Sequence, residues 1–159
     1  MLILGNGRMI TRDADNPYLE CGAVVIDGTK IVKAGTLSEV KPDFMILYYP
    51  VISADADKRH KGTFVQLLGA DDADKPVAQE FSLEKKVDAR TPPTLLFHCD
   101  DDKVVPAVNS ALFYQKLKEH GVKATLHIYP SGGHGWGMNP KFRYYGDWQK
   151  ATLDWLSTL

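Results

Sequence analysis

The stretch Thr94-Leu95-Leu96-Phe97-His98-Cys99-Asp100-Asp101-Asp102-Lys103-Val104-Val105-Pro106 decides how the chain is read. Its first residues, entered through Pro92-Pro93, form a short apolar run, as expected of a strand buried on both faces of a parallel sheet. Three aspartates follow at once, and Pro106 stands where a first-turn proline belongs, so the segment reads as strand, loop and helix. Val108, Ala111, Leu112 and Leu117 continue as a helical stripe that ends near His120-Gly121. Leu126-His127-Ile128-Tyr129, stopped by Pro130, then reads as the return strand of a βαβ unit.

Working outward, Phe44-Met45-Ile46-Leu47-Tyr48-Tyr49 is another continuous apolar run, stopped by Pro50 and likewise expected to be buried on both faces. Residues 51–91 are less regular, with short helical candidates around 64–68 and 77–81 and a charged stretch at 71–75, and read as an excursion over the sheet's carboxyl edge. Trp148, Ala151, Thr152, Trp155, Leu156 and Leu159 recur at offsets of three and four, which predicts a last helix lying on the sheet. The expected fold class is α/β: three parallel strands with crossover helices, and a small antiparallel β-meander at the N-terminus.

That meander is read from residues 1–40, with runs at 2–4, 8–11, 23–27 and 30–33. Gly5-Asn6-Gly7 is expected to reverse the chain, and Asp27-Gly28 between two β-branched runs is a hairpin signal. The change in pattern places a domain boundary between residues 1–40 and residues 41–159, and there is no internal repeat.

The chain of 159 residues is 44% hydrophobic and 25% charged, the composition of an ordinary soluble domain. A formal charge of -1 provides no basic field for nucleic acid or an anionic membrane, so neither is expected as a partner. Cys21 and Cys99 make neither a CxxC motif nor a disulfide framework, which points to a reduced compartment. Only a short apolar run precedes Gly5, well below the length of a signal-peptide core, and a cytoplasmic location is expected.

Asp102 and His134 each follow a predicted parallel strand, 32 residues apart, enough for one crossover helix and a return strand. Neighbouring parallel strands bring both to the carboxyl edge, where open α/β sheets hold their sites. There an aspartate can orient an imidazole and stabilise its cation while the imidazole acts as a general base. Gly132-Gly133 and Gly135 suit a loop that presents His134 without obstruction. Taken singly, each residue also fits a plainer role, Asp102 in a turn before a helix and His134 in an exposed loop.

Other arrangements are weaker. His98 and Cys99 are adjacent on an extended chain and should point to opposite faces, so a Cys99/His98 nucleophile pair is not expected. His60, His98, His120, His127 and His134 show no i, i+4 pairing, and the aspartate run lacks the terminal Glu of a calcium loop, so no metal or cofactor is expected. Trp136, Phe142, Tyr144, Tyr145 and Trp148 suit either a sugar-binding surface or the cover of the sheet edge and anchor of the last helix.

Four stretches carry a resemblance: residues 42–52 (PDFMILYYPVI), 91–98 (TPPTLLFH), 101–106 (DDKVVP) and 128–135 (IYPSGGHG). With them, residues from about 41 to 159 resemble the C-terminal half of an α/β-hydrolase of the acetylxylan esterase, carbohydrate esterase and lipase-like group. The resemblance implies ester hydrolysis through an acyl-serine, with Asp102 as triad acid, His134 as triad base, and an ester or acylated sugar as ligand. Asp100 and Asp101 rank below Asp102 for the acid. The family's Gly-x-Ser-x-Gly elbow is missing, because none of Ser38, Ser53, Ser82, Ser110, Ser131 and Ser157 has glycines at both flanking offsets of two, and so is its oxyanion loop.

Residues 1–40 resemble the opening β-segment of the amidohydrolase superfamily, in LILGNGRMIT and GAVVIDGTKIV, without the His-x-His that follows there. The chain is therefore expected to be an inactive or split esterase, a chimera joined near Val40-Lys41-Pro42. The alternative is a non-catalytic scaffold or interaction module; an enzyme with Cys99 or another residue as substitute nucleophile ranks last. A homodimer is expected, because the strand at 44–49 would present an unpaired edge.

Overall fold

A computed structural model describes residues 2–10, 15, 18–40, 42–69 and 76–159, with the backbone alone given for 2–10, 18–21, 37 and 38. The charged stretch at 71–75 lies outside them. The chain divides into two compact units, Met1–Asp43 and Phe44–Leu159.

The first unit is an antiparallel sheet in the order β1 (Leu2–Ile10), β2 (Tyr18–Asp27) and β3 (Lys30–Thr36), followed by the single-turn α1 (Leu37–Val40). Asp27 pairs with Lys30 across a two-residue turn whose first residue, Gly28, has φ +57°, as the hairpin signal requires. The expected reversal at Gly5-Asn6-Gly7 does not occur. β1 runs straight through it, and the pairing with β2 shifts register between Leu4 and Gly7 and again between Gly7 and Met9. Glycine within a strand marks a bulge as readily as a turn, and here pairing with β2 holds the chain extended.

The second unit is a parallel sheet in the order β4 (Met45–Tyr48), β5 (Thr94–Cys99) and β6 (Ala124–Tyr129). β5 is central and buried along its whole length. Its period-2 alternation divides the core. Leu95, Phe97 and Cys99 pack with Trp136, Phe142, Trp148 and Trp155, under α5 (Tyr145–Leu156). Leu96 turns the other way, against Phe113, Leu117 and Val122, on the side of the crossover helix α4 (Val108–Glu119). Trp136, Phe142 and Trp148 are thus core residues, which decides against a sugar-binding surface made of them. The last helix begins at Tyr145, a turn ahead of the periodic pattern.

β4 departs from the expectation of burial on both faces. All four of its residues are half-buried and Phe44 is exposed, because among the described strands it pairs with β5 alone. Between β4 and β5 come α2 (Lys61–Leu68), α3 (Pro76–Gln79) and a 3-10 turn at Leu83–Lys86. The connection is tied to the start of α4 by buried Asn109. Its Oδ1 accepts the N–H groups of Ile52 and Ser53 at 3.0 and 2.9 Å, and its Nδ2 donates to the Lys58 and Pro106 carbonyls at 2.7 and 3.0 Å. Every hydrogen-bonding position of this amide is used, as burial demands. Among the described residues no helix is long and apolar enough to cross a membrane.

Candidate active site

β5 and β6 run parallel in register from Thr94 opposite Ala124 to Cys99 opposite Tyr129, so the loops that leave them emerge side by side. The Asp100 N–H donates to the Tyr129 carbonyl at 2.8 Å and carries the pairing one residue past the strands. The chain then turns, with the Asp102 N–H on the Cys99 carbonyl at 3.2 Å, and the Asp102 side chain points back into the protein with no exposed surface.

Buried charge demands partners, and Asp102 has them on both oxygens. Oδ1 accepts the N–H groups of Val104 and Val105, each at 2.9 Å. Oδ2 accepts from His134 Nδ1 at 2.7 Å and lies 3.3 Å from His98 Nε2. Burial works to raise the Asp102 pKa, but the Val105 N–H, the His134 ring and the Val104 N–H outweigh it, and the carboxyl titrates below its ordinary range. It is an ionised acceptor at neutral pH. Because a carboxylate only accepts, His134 Nδ1 carries the proton, and Nε2 is the nitrogen left to take one from a reacting group.

The alternatives to Asp102 separate cleanly. Asp101 is exposed, and its Oδ1 accepts the Gly133 N–H at 2.8 Å, so it braces the two loops against each other through the backbone. Asp100 is exposed as well. Neither has a hydrogen bond to His134 among those described.

His134 sits on a glycine loop whose members serve different ends. A side chain on Gly132 (φ +144°) would have its Cβ 2.3 Å from Phe142 and 2.9 Å from the Cys99 sulfur, so the loop passes there only as glycine. Gly133 and Gly135, at φ +63° and +77°, have open space around the missing Cβ. Their positive φ is a backbone conformation that glycine adopts without penalty. The His134 side chain remains 29% exposed, open to solvent.

His98 and Cys99 point to opposite faces, as expected. Cys99 is buried beside Trp136, and burial first, with the charge of Asp101, pushes its thiol up to about 11. It is a thiol without thiolate character and makes no nucleophile. His98 is wholly buried, with Nε2 donating to the Val105 carbonyl at 2.9 Å and Nδ1 against the Ser110 hydroxyl at 2.7 Å. Burial holds its pKa down against the opposing pull of the Val105 carbonyl and of Asp102, so it is neutral. This role for His98 was missed in the sequence. The signal was there: an imidazole inside an apolar buried strand must find partners. Tyr49 was missed too, and its ring lies 4.5 Å from that of His134. Among the described residues no group of three or more His, Cys, Asp or Glu side chains is placed to hold a metal ion.

A family model of the prolyl oligopeptidase family matches residues 48–159, which include both loops. The chain belongs to the prolyl oligopeptidase family. Among curated proteins, an acetylxylan esterase of Xylanibacter ruminicola is 34% identical over 124 residues, covering 76% of this chain and 26% of that protein. Endo-1,4-beta-xylanase B of Butyrivibrio fibrisolvens is 39% identical over 95 residues, 60% of this chain and 15% of that one. Among solved structures, the acetyl ester-xyloside bifunctional hydrolase of Caldicellulosiruptor lactoaceticus superposes with a TM-score of 0.68 at 42% identity, covering 74% of this chain and 42% of that chain. The prolyl oligopeptidase-family chain described here therefore spans about a quarter of the acetylxylan esterase and under half of the bifunctional hydrolase. Its fold is a partial α/β-hydrolase, and its relatives are esterase-like hydrolases.

Proposed function

We propose that residues 44–159 supply the acid and the base of a carboxylic-ester hydrolase whose substrates are acylated sugars. The observation that carries this reading is the 2.7 Å bond from His134 Nδ1 to a buried, fully partnered Asp102 at the carboxyl ends of adjacent parallel strands. The esterase relatives support the ester and the sugar. In the reaction, His134 Nε2 takes the proton of a serine hydroxyl as that oxygen attacks the ester carbonyl, while Asp102 stabilises the imidazolium. The same proton then passes to the departing sugar hydroxyl, and water releases the acyl group by the reverse route.

The serine has to come from outside the 159 residues, since none of the six present has the elbow motif. By themselves these residues are proposed to be inactive, a hydrolase piece joined to an N-terminal segment that resembles the amidohydrolase opening. A fluorophosphonate probe read by intact mass tests this. The chain alone should remain unlabelled. A hybrid in which residues 44–159 replace the matching part of the Caldicellulosiruptor hydrolase should be labelled at its elbow serine, and His134→Ala should abolish that labelling. Labelling that persists without His134 removes it from the reaction.

The half-buried β4, paired on one side only among the described strands, favours a second reading, self-association of the chain as a homodimer through that edge. Light scattering should then give twice 17.7 kDa. A single mass of 17.7 kDa throughout the micromolar range would end the dimer proposal.

A further inference from the structure

Tyr49 combines two observations that no assigned role explains. It is the single non-glycine residue with positive φ among those described, at +39°, and its ring is in contact with the imidazole of His134, centroids 4.5 Å apart and planes at 57°. Positive φ in a bulky residue is an outlier that persists only where the surroundings enforce it, and such outliers gather at functional sites.

The surroundings are visible here. The Tyr49 N–H donates to the Phe97 carbonyl at 2.8 Å, so its backbone is pinned to the end of β5. Consecutive side chains on a strand point to opposite faces, yet Tyr48 and Tyr49 both lie against Trp136, at 5.5 and 5.4 Å. The turn at Tyr49 brings the second ring round to the side of the first. From there it meets the loop leaving β6, which carries Trp136, at two further residues. It touches His134, and its hydroxyl lies 3.4 Å from where a side chain on Gly137 would begin. His134 itself stands between glycines and is partly open to solvent, so the loop backbone does little to fix its ring.

We propose that Tyr49 is a positioning residue for the base: its ring packs against the imidazole and confines His134 to the rotamer that bonds the acid. The inference rests on the reading of His134 as the general base, and the contact can be tested without turnover. The face of an aromatic ring also favours a cation, so the same contact supports the imidazolium formed during the reaction.

The test is carbon–proton NMR of the His134 ring in the 159-residue chain, assigned with H134Q, for the parent, Tyr49→Phe, Tyr49→Leu and Tyr49→Gly. The Tyr49 ring current should place the His134 ring protons upfield in the parent and in Y49F. Y49L and Y49G should both lose that shift. Y49G, free of the φ penalty, should melt no lower than Y49L, which separates loss of the ring from loss of the fold. His134 resonances unchanged in Y49L would overturn the proposal, and so would their loss in Y49F, because the hydroxyl and not the ring would then be responsible. In the hybrid that has not been exposed to the probe, Y49L should lower kcat with KM unchanged. A hybrid that never labels defeats the esterase reading and leaves the ring contact standing.

Discussion

The loop leaving β5 and the loop leaving β6 each deliver one end of the same hydrogen bond, by opposite means. The acid loop buries its charge and surrounds it with backbone N–H groups and two imidazoles, so Asp102 is fixed by its own turn. The base loop is rich in glycine and open to solvent, and what fixes His134 lies outside that loop, in Asp102, Tyr49 and the brace from Asp101 to Gly133. In the proposed reaction the difference follows from the work each performs. A permanent charge has to be solvated by fixed protein dipoles if it is to orient a partner. A group that exchanges a proton with substrate has to reach the surface.

The largest expected effect separates the two kinds of glycine in the base loop. Gly132→Ala adds a carbon that has no room against Phe142 and Cys99, at a backbone angle that disfavours any side chain. Overpacking and torsional strain together should destabilise the second unit by about 3 kcal/mol or more. Gly135→Ala meets open space and suffers the torsion alone, about 1–2 kcal/mol. Urea unfolding followed by tryptophan fluorescence, with all three tryptophans in the second unit, measures both. Equal losses would mean that Phe142 shifts aside and that the base loop is as adaptable at Gly132 as at Gly135.

Much of the parallel unit is legible in the sequence, because parallel strands announce themselves as uninterrupted apolar runs and a crossover helix as a period of three and four. Thr94–Cys99 and Val108–Glu119 show this. The pair Asp102 and His134 is equally legible, since position at a strand exit is a consequence of chain order. Legibility fails where an outcome depends on a neighbour rather than on local pattern. Gly5-Asn6-Gly7 carries a turn signal, and pairing with β2 makes it a bulge. Phe44 to Tyr49 has the composition of a central strand, and its position in the sheet leaves it half-buried. The roles of Asp101 and His98 depend on contacts across the 3 Å scale, with Gly133 and with Asp102, which no spacing rule encodes.

A smaller effect turns on acid, and it distinguishes buried from exposed groups at the end of β5 and in the loop that leaves it. His98 is held below its ordinary value of 6.5 by burial, so between that value and its folded one the unfolded chain binds the extra proton. Stability is complete above 6.5 and declines as the pH falls through this window. Asp102 is held below 3.8, so the unfolded chain again takes up the proton first, and a second decline begins below 3.8. Asp101 is also lowered, by the Gly133 and Gly132 N–H groups, but it is exposed and water competes for the same bonds, so its share of that second decline should be slight. The measurement is the urea midpoint against pH for the parent, His98→Gln, Asp102→Asn and Asp101→Asn. H98Q should reduce the limb below 6.5, leaving the share of His127, which burial also holds below that value, and should keep the limb below 3.8. D102N should be less stable at neutral pH, where the parent carboxylate is charged and fully bonded, and should flatten the lower limb. D101N keeps an oxygen that can accept the Gly133 N–H and should leave both limbs close to the parent's. If D101N instead removed the lower limb while D102N left it intact, the exposed carboxylate and not the buried one would be the charge on which the two loops depend.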